Sequence, residues 1–152
     1  VILFAGGGTN SANPYYSSYT LGKISLIKAV ELLDNEIEFM KFTILGPGWV
    51  KTKIHEETIN AKGKAGENYK KTIEMMRNPS KFNPMEKVIE DVLQIISLPK
   101  ELVSGRNFSS VHDDLSIDNL KKLKKLNADF YKLRRLHNNQ WIFFNISIKK
   151  GL

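Results

Sequence analysis

Two apolar runs, each halted by glycine, constrain this chain more than any other feature. "VILFA" (Val1 to Ala5) stops at "GGG", and "FMKFTIL" (Phe39 to Leu45) stops at "GPG". Continuous rather than alternating runs predict strands buried on both faces, as in a parallel sheet. Between them, Ile24, Ile27, Val30 and Leu33 recur along one face of a helix expected from about Ser17 to Leu33. Ser17 or Ser18 is placed to cap its first amides. Strand, helix and strand of these lengths make a β-α-β unit with a right-handed crossover.

The rest of the chain extends that plan. Residues 49 to 82 are polar with weak helical patches, and "KGKAGENYKK" reads as mobile and solvated. A segment of this kind beside a strand's carboxyl end suits a substrate lid. "NPMEKVIEDVLQIISLP" predicts a helix with Asn83 as cap and Pro84 at the first helical position. Met85, Val88, Ile89, Val92, Ile95 and Ile96 form its expected buried stripe. "GRNFSSV" (Gly105 to Val111) reads as a third strand and "IDNLKKLKKL" as a basic helix. "WIFFNISI" (Trp141 to Ile148) is apolar and β-prone, and residues 137 to 152 stay unassigned.

Composition narrows the function classes. The 152 residues suffice for one domain with a real core. No cysteine is present, which excludes disulfides and cysteine-held metals. No basic start precedes an apolar run, as a secretory signal requires. No apolar run approaches the roughly 20 residues of a membrane span. A cytoplasmic location, with no membrane partner, is expected on those grounds. The net charge of +7 admits a polyanion partner. No nucleic-acid motif accompanies it, so nucleic acid is not expected as a partner. The chain opens at Val1 inside an apolar run, so truncation or processing is expected.

The candidate chemistry lies in "PYYSSYTLGK". Tyr19 and Lys23 stand one helical turn apart, after a strand and a Gly-rich loop. In an open α/β sheet that is the carboxyl end of the strands, where ligands bind. A phenol ionises near 10 and is a poor base at neutrality. An ammonium within about 4–6 Å favours the phenolate. Such a pair can pass a proton to or from an alcohol while a hydride leaves its carbon. At helical spacing alone, the two residues are equally a packed tyrosine and a solvated lysine.

"YSSYTLGK", followed some 25 residues later by "GPGWVKT", resembles the short-chain dehydrogenase/reductase family. "FAGGGTNSANPYYSSY" is similar to its Ser-Gly-Gly-Gly loop variant. "VSGRNFSSVHDDL" and "FYKLRR" resemble its final strand and one of its endings. The resemblance covers residues 1 to about 136. It implies the C-terminal half of a Rossmann-like, doubly wound parallel sheet: the last three strands and their helices, adjacent to one another. It implies an NAD- or NADP-dependent oxidoreductase acting on a small alcohol or carbonyl compound, homo-oligomeric when complete. By position, Tyr19 would donate or accept the proton. Lys23 would lower its pKa and hold the nicotinamide ribose. Pro47 and Gly48 would shape the turn beneath the nicotinamide. Val50, through its backbone, and Thr52, through its hydroxyl, would hold the carboxamide.

Two departures accompany the likeness. The family's catalytic serine stands 13 or 14 residues before the tyrosine, where this chain has Gly6 and Ala5. Thr9 or Ser11 is the substitute hydroxyl at hand. The Gly-rich dinucleotide turn is also missing, since "GGGTN" lacks its spacing and precedes the tyrosine helix. The chain is therefore expected to hold the reactive end of a site, in a fragment marginal on its own. "VILFA" would be an open edge, inviting another strand. A non-catalytic remnant is the alternative. A basic module using Lys121, Lys122, Lys124 and Lys125 is a third reading.

Overall fold

The computed structural model of the chain describes residues 1–10 and 12–135. Ser11 and the segment Trp141 to Ile148 lie outside the described residues. Three short strands, β1 (Ile2–Phe4), β2 (Thr43–Gly46) and β3 (Arg106–Ser109), form one sheet in the order β1-β2-β3. Both pairings are parallel, with Phe4 opposite Leu45 and Leu45 opposite Phe108. The architecture is α/β, and no described helix is long and apolar enough to cross a membrane.

Helices cover both faces, as a parallel sheet requires. Helix α1 (Ser17–Glu36) lays Ile27 and Val30 against Phe42 and Ile44. On the other face, Leu45 and Phe108 meet Val88 and Ile95 of α4 (Met85–Ser97), Leu102 and Val103 of α5 (Lys100–Val103), and Leu120 of α6 (Ile117–Leu126). The β2 end is stitched to the chain before β3. The Phe42 amide donates to Ser104 Oγ at 2.9 Å, and the Thr43 hydroxyl to Val103 O at 2.9 Å. The outer side of β3 is covered: Asn107 N donates to Tyr131 O, and Arg106, itself buried, donates its guanidinium to Phe130 O and Ala128 O. The outer side of β1 pairs with no strand among the described residues.

Several expectations are corrected. The run Phe39 to Leu45 is strand only from Thr43. Phe39 is 88% exposed, because Met40 N bonds back to Ile37 O and keeps the chain in a turn. Neither Ser17 nor Ser18 caps α1. Tyr16 holds the cap position without a side-chain bond, since the helix starts before either serine can step outside it. Asn83 does not cap α4 and Pro84 is the cap residue, because the Asn83 amide is drawn to Pro47 O at 2.8 Å. Of the α4 stripe, only Val88 and Ile95 are buried, and Val92 is half-buried. Met85, Ile89 and Ile96 face outward, since the core reaches one narrow side of this helix. The segment read as mobile is mainly helical: α2 (Ile54–Ala61), a 3₁₀ turn (Lys62–Ala65) and α3 (Glu67–Arg77).

An ion pair ties the segment after α6 to α1. The buried Glu31 accepts from Arg134 Nη1 at 2.9 Å, from Nη2 at 2.5 Å, and from Lys28 Nζ at 2.8 Å. The Arg134 hydrogen bonds, working against burial, hold its carboxyl at about 2 instead of 4.5. A carboxyl lowered on folding stabilises the protein above pH 4.5, and that contribution is lost as pH falls toward 2. At about 1.4 kcal/mol per unit the shift is worth about 3 kcal/mol. Arg134 is a third exposed, so screening leaves about 1–2 kcal/mol. Glu31→Gln is therefore expected to lower urea stability at pH 7 and by less than half as much at pH 3. An equal deficit at both pH values would count against the pair.

Candidate active site

The two sequence motifs meet at the carboxyl end of the sheet. β1 runs out through Ala5 into the glycine loop, and β2 through Gly46 into the turn at 47–52. A Cβ built on Gly46 would lie 3.8 Å from that of Ala5, so the two strand ends adjoin. Helix α1 leaves the glycine loop, which places Tyr19 and Lys23 on its first two turns, above the end of β1.

Tyr19 is partly exposed at 38%. Its ring meets that of Tyr16 edge-on, with centroids 6.2 Å apart. The Lys23 ammonium lies 5.8 Å from the Tyr19 ring centroid and donates to Phe4 O at 2.9 Å. This arrangement corrects the expected electrostatics. Burial, then the neighbouring Tyr16, raises the Tyr19 phenol above its ordinary 10. The ammonium is committed to a backbone carbonyl and stands over the ring, not as the dominant partner of the hydroxyl.

The second motif forms a braced turn. Gly48 has φ +74, a region that favours glycine, and a Cβ there would come within 2.4 Å of Val111 Cγ2. Asn83 clamps the turn twice, donating Nδ2 to Pro47 O and its backbone N to Trp49 O at 2.7 Å. Val50 is buried, and its carbonyl pairs with His55 Nε2 at 2.8 Å. His55 is sandwiched between Trp49, stacked at 5.1 Å, and Phe82, tilted at 5.6 Å. Thr52 is exposed, and its hydroxyl bonds to nothing among the described residues. It does not cap α2, whose cap residue is Lys53.

The helices read as a lid are fastened to the tyrosine loop. The hydroxyls of Tyr16 and Thr58 share a hydrogen bond of 2.8 Å, and Asn68 Nδ2 donates to Pro14 O at 3.4 Å. Sequence reasoning missed Asn83, Tyr16 and His55 as organisers of the site. Asn83 precedes a proline and reads as a helix cap, and Tyr16 is one of three tyrosines within five residues. Only "WVKTKIH", with an aromatic and a histidine bracketing the turn, held a visible signal.

Thr9 is half-buried and donates no side-chain hydrogen bond among the described residues. Lys121, Lys122, Lys124 and Lys125 are exposed on α6. No group of acidic, histidine or cysteine residues able to hold a metal is found among the described residues. No protein-family model, curated protein or solved structure matches the chain.

Proposed function

We propose that this chain carries the reactive end of an NAD(P)-dependent oxidoreductase of the short-chain dehydrogenase/reductase type, acting on an alcohol or carbonyl compound. The observation that carries this reading is the joint position of Tyr19, Lys23 and the 47–52 turn at one end of a parallel sheet. The unbonded Thr52 hydroxyl fits a nicotinamide carboxamide, and Gly48 allows the tight turn that presents it. The dinucleotide, when bound, supplies or accepts the hydride. The chain's part is to hold the substrate oxygen near Tyr19 Oη and to move one proton there. With its phenol protonated at neutral pH, Tyr19 serves as the acid in carbonyl reduction. Lys23 would exchange Phe4 O for the ribose. On this reading the three strands are the last three of a Rossmann-like sheet, and the dinucleotide-binding half adds along the open side of β1.

A non-catalytic relative is the second reading, favoured by one observation: neither Ala5 nor Gly6 offers a side-chain hydroxyl. Fluorescence titration of the native gene product with NADPH separates the two. Saturable quenching with enhanced 450 nm emission is expected for the enzyme. Unchanged emission up to millimolar NADPH would sink the reductase reading.

A further inference from the structure

The three glycines after β1 are not equivalent. A Cβ on Gly7 would meet only Asn13 Nδ2, at 3.4 Å. A Cβ on Gly6 would lie 2.4 Å from Tyr19 Oη, 2.8 Å from Tyr19 Cζ and 2.8 Å from Lys23 Cγ. Contacts below 3.0 Å are essentially never made by real Cβ atoms, so something must move. Here the obstacles are both members of the proposed dyad. The phenol end belongs to a rigid ring, already flanked by Tyr16, and cannot give way without turning the whole side chain.

We propose that Gly6 is a positioning residue: its bare backbone is the seat of the Tyr19 hydroxyl and the Lys23 stem, and any side chain there, serine included, drives the phenol off the end of β1. The inference rests on reading Tyr19 and Lys23 as the proton-transferring pair. It also separates the two places where a serine hydroxyl was expected. Position 6 cannot take one. Position 5 can, because Ala5 already carries a Cβ, packed beside the Ile27, Val30 and Ile44 cluster. The phenol occupies space that a side chain at position 6 would need, so the dyad works against bare backbone.

The test is a pH titration by ¹³C NMR of the chain labelled at tyrosine Cζ, with Tyr19→Phe assigning the resonance. The variants are Gly6→Ser, Gly6→Ala, Gly7→Ser and Ala5→Ser. Both Gly6 variants are expected to shift the Tyr19 resonance and to lower its ionisation midpoint toward 10, as the ring loses its seat. Gly7→Ser and Ala5→Ser are expected to leave both unchanged, which a general loosening of the loop would not do. A Gly6→Ser protein with the wild-type resonance and midpoint would overturn the proposal. Should the Gly6 variants fail to melt cooperatively, Gly6→Ala is combined with Tyr19→Ala and Lys23→Ala, which together remove all three contacts. A restored melt is then expected, and persistent failure would overturn the proposal equally. None of these readouts involves NADPH, so the positioning role and the reductase reading fail independently.

Discussion

On the proposed reductase reading, Tyr19→Phe is expected to reduce carbonyl turnover with NAD(P)H by about 10²–10⁴-fold, the usual contribution of a positioned acid or base. The substitution keeps the ring edge-on to Tyr16 and removes only the hydroxyl over Gly6, so the melting temperature should hardly change. The direction of pH dependence follows from the raised phenol. Below its ionisation the hydroxyl is protonated and able to donate, so reduction stays level through neutrality. Alcohol oxidation needs the phenolate and should climb with pH in the wild type alone. Initial rates in both directions check this. A variant that keeps more than a tenth of wild-type turnover would show that the proton travels another way.

The largest effect on stability is expected from Phe108→Ala. Phe108 is 1% exposed and lies beside Leu45 in the sheet register. Its ring packs 5.1 Å from that of Tyr131, tilted by 60°. Truncating such a side chain removes its transfer free energy and leaves a cavity, at about 3–5 kcal/mol. Small domains have only about 5–15 kcal/mol in total. The variant should melt far below the wild type or not fold at all at 37 °C. Phe39→Ala, at an exposed turn, should change stability by less than about 0.5 kcal/mol. The same truncation at two phenylalanines thus reads out burial directly in paired urea titrations.

Those two residues also show what the sequence made legible. Phe39 belongs to an apolar run whose pattern predicts strand, yet a turn stabilised from outside the run holds it in solvent. Lys100 Nζ donates to Glu38 O at 2.8 Å from 62 positions away. Local pattern carries no trace of such a partner. Where nothing distant intervenes, the pattern sufficed to place β1, β3 and α6, although β1 is not buried on both faces, since Phe4 is exposed. The helices at 54–61 and 67–77 were obscured by short length and polar composition, which leave little periodicity to read. In the site, the residue types and spacing of Tyr19, Lys23 and Pro47 to Thr52 were visible. Their setting was not: the bond from Lys23 to Phe4 O, the Asn83 clamp and the crowding at Gly6 all depend on segments the fold brings together.

The all-parallel sheet has a consequence for how fast this protein reaches its native state. Adjacent parallel strands cannot be joined by a tight turn, so each pairing waits for a long crossover to be closed. The Phe42 to Ser104 bond that anchors β2 to the β3 segment spans 62 residues. Entropy is spent on both closures before the ladder returns any of it, which places a mixed α/β chain like this one between helical bundles and all-β proteins in folding rate. Refolding from urea should therefore lag well behind helical bundles of equal size, with helical signal recovering before the fluorescence of Trp49.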